Sequence, residues 1–388
     1  MEQEALGIGG SVDRQVCKDH IDDDAITRFI STHTKKGVCD YCKAPKRVIP
    51  VDDLMVFIMQ GINRVLKDAA EFMSYDSSEG GYLGETFDAD DIFSEVLHLD
   101  ISNYALQQDI EHCIADKAWA RDDWDNYAER LNSAWSNFKY VIKHQSRYMF
   151  SRTTQFKDYD TGDIAYGILS QIGQIVKKYK LYSIIPEGTS LYRCRQHKIA
   201  EVLDKAGQLA SPPLEIAVHP NRMSPAGVSM FYGAFDLDTA KGETINESDT
   251  HKRRVTSAIF QPKKDLAIID FTKLPTLPSI FDSKRFKEYY PIAFLKDFVK
   301  DLSTPITRDG HPHIEYVPTQ VVTEYFRFTF AEEQGLPIDG IVYPSSRMKG
   351  RNACVLFMDH RGSLDRLTFI APSLRRDKVQ KTDPLKGL

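Results

Sequence analysis

Met230-Phe-Tyr-Gly-Ala-Phe-Asp236 is followed almost at once by Thr239-Ala-Lys-Gly-Glu243, and the reading of these two stretches decides the fold of the second half of the chain. The first has the aromatic character of a strand and runs into a turn. The second is a Gly-bounded helical turn that carries one acidic residue, Glu243. The same combination of strand, unusual polar residue and turn recurs on either side. It appears at Leu191-Tyr-Arg-Cys-Arg195, Asn221-Arg-Met-Ser-Pro-Ala-Gly227, Tyr316-Val-Pro-Thr-Gln320 with Glu324-Tyr-Phe-Arg327, and Val342-Tyr-Pro-Ser-Ser-Arg347. Short apolar runs at Ala267-Ile-Ile-Asp270, Gly340-Ile-Val-Tyr343 and Ala353-Cys-Val-Leu-Phe357 read as buried strands, so an α+β domain is expected from about Pro186 onward. No G-x-G-x-x-G follows any of them and no P-loop motif occurs, which argues against a Rossmann or P-loop nucleotide site.

At 388 residues the chain exceeds the size at which one hydrophobic core usually keeps growing, so a multi-domain protein is expected. A 42% hydrophobic and 27% charged composition is that of an ordinary globular protein, and 21 Phe and 18 Tyr supply bulky core material. The formal charge of −5 provides no electrostatic reason to expect a nucleic-acid partner or an anionic membrane. The opening MEQEALGIGG lacks the basic start and apolar run of a signal peptide, and no stretch approaches the roughly 20 apolar residues of a membrane span. A cytoplasmic location is therefore expected.

Cysteine usage is uneven: three of six lie within the first 42 residues. Cys17-Lys-Asp-His20 and Cys39-Asp-Tyr-Cys42 put two pairs of soft ligands on two tight turns, and two such turns can complete a tetrahedron around Zn²⁺. A closed four-ligand set would make the site structural, holding residues 1–50, a segment too small to bury its own core. His33 competes as the fourth ligand. Cys113, Cys194 and Cys354 sit in apolar surroundings and are expected as buried thiols.

Beyond Pro50, Leu54, Ile58, Ile62, Leu66, Ala69 and Phe72 recur at helical spacing. Ser74 to Asp91 reads as a loop with a turn at Gly80-Gly81. Helical periodicity resumes from Trp124 through Tyr127, Leu131, Ala134, Trp135, Phe138 and Val141, and again from Ile164 to Tyr179. Residues 51–185 are thus expected to form an α-helical bundle with a connecting helix. A HEPN-type nuclease would need an Arg and a His about one helical turn apart. Arg130 and His144 are too far apart and His144 precedes Arg147 in the wrong order, so no catalysis is assigned to the bundle.

Taken in order, the six polar stretches of the second half resemble the RES domain over residues 186–375, leaving 376–388 as a polar tail. The first half resembles the HEPN-like region fused in front of such domains. The aromatic-Arg pair of the family falls on Tyr192-Arg193, its R-x-x-x-x-G on Arg222 and Gly227, its Tyr-x-Ala on Tyr232 and Ala234, its acidic residue on Glu243, and its late Pro-Ser on Pro344-Ser345. Met223 stands where the family usually has an aromatic residue, a departure that could reshape the pocket.

The resemblance implies an ADP-ribosyltransferase-like fold and an enzyme that breaks down NAD, acting as a toxin or defence effector. A protein antitoxin or regulator and a homodimer are the implied partners. Cleavage of the nicotinamide–ribose bond passes through an oxocarbenium-like centre, so Glu243 is expected to stabilise the ribosyl cation. Arg193 and Arg222 suit the NAD diphosphate. Tyr232 can stack on nicotinamide, and Ser345 can donate to phosphate or ribose or position the attacking group. Gln320 and Glu324 are expected as packing or pocket support. NAD glycohydrolase or phosphorylase activity leads; ADP-ribosyl transfer to a macromolecule and a non-catalytic interaction protein are the alternatives.

Overall fold

The computed structural model describes residues 2–78, 80–97, 99–121, 127–148, 161–305 and 312–379, with side chains described for all of these except 2–3, 127–129, 161–166 and 312. The chain divides into two compact units. One comprises Met1–Arg130 with Thr276–Ala293, the other Leu131–Pro275 with Phe294–Leu388. No helix among the described residues is long and apolar enough to cross a membrane.

In the first unit, β1 (Gln15–Val16), β2 (Lys35–Val38) and β3 (Pro45–Pro50) form an antiparallel sheet with β3 in the middle. Helix α1 (Asp24–His33) starts where the Asp23 carboxylate accepts from the Ala25 and Ile26 amides, satisfying two of the donors that a helix start leaves unpaired. Helix α2 (Val51–Ile62) buries Leu54, Met55, Ile58, Met59 and Ile62. It is shorter than the apolar spacing predicts. The Asn63 side-chain amide donates to the Met59 and Leu6 carbonyls, and a turn follows. Leu66 stays fully buried in the same core because that turn folds it back, and Ala69 is fully buried at the start of a short 3-10 turn, Ala69–Glu71. Phe72, the last residue of the expected stripe, is 39% exposed.

The segment Thr276–Ala293, read from sequence as part of the second domain, packs in the first unit. Phe281 lies over Gly61, where a Cβ would come within 2.2 Å of its ring. Arg64 Nη1 donates to the Ile280 carbonyl at 2.7 Å. With α3 (Tyr104–Cys113) and several short strands, this unit is a mixed structure, not the plain bundle that periodicity suggests.

The second unit is built on an eight-stranded sheet: β4 (Tyr182–Ile185), β5 (Leu191–His197), β6 (Phe231–Ala234), β7 (Arg254–Pro262), β8 (Leu266–Asp270), β9 (Gly340–Pro344), β10 (Asn352–Leu356) and β11 (Leu367–Lys378), in the order β11-β7-β5-β6-β10-β9-β8-β4. All neighbours are antiparallel except β8 and β9. Strands β8, β9 and β10 match the three predicted apolar runs. The expected polar tail begins inside β11, where Arg376 pairs with Thr256 and Lys378 with Arg254. Its remainder from 380 onward lies outside the described residues, as does Trp124.

Two helices assigned from sequence to the bundle also pack here. Helix α4 (Tyr127–His144) presents the Trp135 indole N–H and the Lys139 ammonium to one oxygen of Asp301, each at 2.7 Å. On α5 (Thr161–Lys178), a Cβ at Gly173 would meet the Tyr325 hydroxyl at 2.3 Å, so the π-helical turn Tyr325–Phe330 sits directly against that helix.

Candidate functional site

The strand β6 forms a four-residue ladder with β10 but pairs with β5 at one position only, Ala234 with Tyr192. A cleft of about 620 Å³ lies where this ladder stops, with Tyr192 and Arg193 from β5 and Tyr232 from β6 in its lining. Such a volume suits one small-molecule ligand, for which pockets run to roughly 300–1,000 Å³. The backbone carbonyl of Tyr232, which the short ladder leaves without a strand partner on the β5 side, accepts instead from Arg193 Nη1 at 2.8 Å. Arg193 Nε donates to the Leu209 carbonyl at 3.2 Å. Burial pushes this guanidinium down to about 10, and its flat face lies 5.6 Å from the centre of the Phe231 ring. Two of its donor nitrogens are thus committed to the protein; among the described residues Nη2 has no hydrogen-bond partner.

Glu243 reaches the cleft from α6 (Leu237–Thr244). The helix starts at Asp236, whose carboxylate accepts from the Thr239 amide at 2.9 Å and the Thr239 hydroxyl at 2.8 Å. Burial raises the Asp236 pKa, but these bonds outweigh it and hold the carboxyl below its usual range. One turn on, Gly242 lets α6 approach the Ser345–Met348 turn closely: a Cβ there would meet Met348 Cγ at 3.2 Å. Ser345 Oγ donates to Glu243 Oε1 at 2.5 Å and the Ser346 amide donates to the same oxygen at 3.0 Å. Among the described residues no hydrogen bond engages Oε2.

Ser345 is itself locked. Its hydroxyl accepts from the Arg347 and Met348 amides, and its own amide donates to the Arg351 carbonyl. The residue is 9% exposed, while Ser346 and Arg347 line the cleft. Ser345 therefore sits behind Glu243 and outside the cleft lining, where the sequence left open a direct contact with phosphate or ribose.

Arg222 stands on the loop Asn221–Ser224, which is closed by reciprocal backbone hydrogen bonds between its ends. Helix α7 (Val317–Glu324) supports that loop from behind. Gln320 Nε2 donates to the Asn221 and Ser224 carbonyls at 2.8 and 3.2 Å, and the Thr319 hydroxyl donates to the Arg222 carbonyl. Gln320 is thus loop support. Glu324 follows one turn later, its carboxyl raised by burial. Met223 points the other way: it is 1% exposed and its sulfur accepts from Thr323 at 3.3 Å. The departure from the aromatic pattern is absorbed in the core.

Tyr232 shares a 2.9 Å hydrogen bond with Ser224, and burial pushes its phenol up to about 12, so the ring is a neutral wall. Tyr343, also in the lining and 4% exposed, is raised well above its usual value by burial and by the nearby Glu243. Sequence reading missed Tyr343, Tyr316, Arg195, Lys252 and Arg347. All but Lys252 lay inside quoted stretches, yet nothing in their spacing distinguished the two tyrosines from core residues or the two arginines from surface cations. With Arg193 and Arg222, the cations of the lining outnumber its two carboxylates, Glu243 and Asp249, an arrangement that favours an anionic ligand.

The four soft ligands of the first unit also meet. One donor atom from each of Cys17, His20, Cys39 and Cys42 lies within 4.8 Å of the others. Cys17 Sγ is 4.0 Å from Cys42 Sγ, and Cys39 Sγ is 3.4 Å from His20 Nε2. Tetrahedral coordination at about 2.3 Å to sulfur and about 2.1 Å to nitrogen requires edges of roughly 3.5–3.8 Å, so the donor set fits a metal ion once its longer separations close by up to about 1 Å. His33 is elsewhere, its Nδ1 2.9 Å from the Phe29 carbonyl and the Thr32 hydroxyl.

Comparison with known families gives two matches: HEPN/RES N-terminal domain 1 over residues 32–156 and RES domain over residues 190–375. No curated protein matches the chain. The cleft and all five expected site residues, Arg193, Arg222, Tyr232, Glu243 and Ser345, fall within the second match, and the chain belongs to the proteins in which an HEPN/RES N-terminal domain precedes a RES domain.

Proposed function

We propose that the second unit cleaves the nicotinamide–ribose bond of NAD, by hydrolysis or phosphorolysis, on a sheet related to the ADP-ribosyltransferase fold. The observation that carries this reading is the Glu243 carboxylate in a cation-rich cleft, with Oε1 held by Ser345 and Ser346 and Oε2 left for a ligand. Departure of nicotinamide leaves positive charge on the ribose C1′ and O4′. A carboxylate fixed in advance stabilises that charge without reorganising, and it can also accept a hydrogen bond from the 2′-hydroxyl. Because Ser345 and the Ser346 amide already hold one oxygen, the other stays aimed during the reaction.

Arg222 supplies donors to the diphosphate. Arg193 acts mainly by position, tying β5 to the Tyr232 carbonyl, and adds its charge and Nη2 to the cleft wall. Tyr232 offers a neutral ring for nicotinamide to stack on. In the first unit, Cys17, His20, Cys39 and Cys42 would hold a structural Zn²⁺, which contributes folding energy there and takes no part in catalysis. NAD depletion is the activity of a toxin or defence effector, for which an antitoxin or regulatory protein is the fitting partner.

Incubating the purified chain with NAD, with and without phosphate, tests the reading. Free nicotinamide with ADP-ribose marks hydrolysis, and with ADP-ribose 1″-phosphate marks phosphorolysis; ADP-ribose on protein marks transfer. Glu243→Gln keeps the hydrogen bonds to Oε1 and removes the charge, so nicotinamide release should fall about 10²–10³-fold. An unchanged rate in that variant would sink the assignment.

A further inference from the structure

A second cavity of about 610 Å³ lies in the same unit, with Trp135, Lys139, Tyr140, Lys143 and His144 of α4 on one side and Leu302, Pro318 and Thr319 on the other. It shares one residue with the cleft, Arg222. We propose that the adenosine half of NAD binds in this second cavity, with the diphosphate crossing at Arg222. The inference rests on the NAD reading above and adds to it the way in which the substrate is divided.

NAD consists of two nucleosides joined by a diphosphate, and here two cavities of nearly equal volume meet at one guanidinium. Arg222 spans them. Its Nη1 donates at 2.9 Å to the carbonyl of Leu302, in the wall of the second cavity, while its Cζ lies 5.8 Å from the ring centre of Tyr316, in the wall of the first. Nε and Nη2 have no hydrogen-bond partner among the described residues, and a diphosphate presents acceptors suited to them.

Charge decides which half goes where. The second cavity's ammonium groups are already neutralised, Lys139 by Asp301 at 2.7 Å and Lys143 by Glu315 at 2.6 Å, so its walls suit an uncharged nucleoside. The first cavity holds Glu243, which the cationic nicotinamide riboside needs. Tyr140 is 56% exposed, so its ring offers an open face for a purine, with the His144 ring beside it inclined at 50° and its centre 5.4 Å away. The carboxylates of Asp301 and Glu315 are within the same lining and can accept from ribose hydroxyls. Helix α4 falls within the HEPN/RES N-terminal match and outside the RES match. The N-terminal family region therefore supplies the adenine-facing wall of a site whose chemistry belongs to the RES domain.

Binding titrations of the full chain separate the two halves. AMP and ADP-ribose contain no nicotinamide bond, so their binding is read independently of turnover; NMN is titrated against the Glu243→Gln chain. Tyr140→Ala, an exposed change, should weaken AMP and ADP-ribose tenfold or more and leave NMN unchanged, whereas Arg222→Ala should weaken all three. Failure of AMP to bind the parent chain, equal AMP affinity in the Tyr140→Ala chain, or equal loss of NMN in that chain would each overturn the inference. If AMP binding depends on Tyr140 but NAD is not cleaved, the catalytic reading fails and the nucleoside site stands.

Discussion

The Cys/His cluster of the first unit and the carboxylate cluster of the second are built in opposite ways. Cys17 and Cys42 are separated by 25 positions and lie on two tight turns of one small sheet, whereas Glu243 and Ser345 are separated by 102 positions and follow two non-adjacent strands, β6 and β9, of an eight-stranded sheet. The first cluster is closed: four ligands converge on one point and nothing is left for a substrate. The second is open, with one carboxylate oxygen held and the other facing a cleft. A closed set of soft donors serves folding, since its ligands exhaust the coordination of the ion they hold. An open carboxylate serves chemistry, because the unpaired oxygen is stabilised only when charge develops next to it.

The contrast can be broken in several places. The largest effect is expected from metal removal. Metal binding contributes on the order of 10 kcal/mol in small zinc-held peptides, so a chelator at neutral pH should melt the region around β1–β3, read as loss of a calorimetric transition. Nicotinamide release should outlast that melting, and an unaltered melting profile in chelator would show that the cluster holds no structural metal. Next comes the 10²–10³-fold loss of turnover in Glu243→Gln, with the melting temperature retained.

Gln320→Leu removes two hydrogen bonds to the Asn221 and Ser224 carbonyls, which keep only their reciprocal backbone bonds, a change worth about 1–3 kcal/mol of stability at roughly 0.5–1.5 kcal/mol per bond. Because that loop carries Arg222, KM for NAD should rise while kcat holds; a fall in kcat alone would place Gln320 nearer the reaction than the structure does. The smallest effect is assigned to Ser345→Ala, which frees Glu243 Oε1 from one of its two donors. About a tenfold loss in kcat is expected with KM unchanged, equivalent to about 1.4 kcal/mol, and Ser345→Thr should recover part of it. A change in KM instead would mean that the hydroxyl touches the substrate.

Legibility followed the range of the interactions. The Cys/His cluster was readable because C-x-x-H and C-x-x-C turns impose convergence locally, and His33 drops out because its ring is turned back onto the Phe29 carbonyl. The strands β8, β9 and β10 were readable as apolar runs of strand length. By contrast, α4 carries a clear apolar stripe that says it is packed without saying against what. Its partner, Asp301, lies 166 positions from Trp135. The segment Thr276–Ala293 misled for the same reason, since only Phe281 seated on Gly61 reveals where it packs.

By itself, then, the sequence determined the donor types: four soft ligands at turn spacing, and an ordered series of Arg, Tyr, Glu and Ser marking a RES domain. Tertiary structure alone decided which of those polar atoms remain available to a ligand. Arg193 directs two nitrogens to backbone carbonyls and Ser345 gives its proton to Glu243, while Arg222 and Glu243 keep donors or an acceptor in reserve. The reason is that a buried polar group is satisfied by whatever the fold places within about 3 Å of it, and at separations of tens to hundreds of residues that neighbour is set by packing.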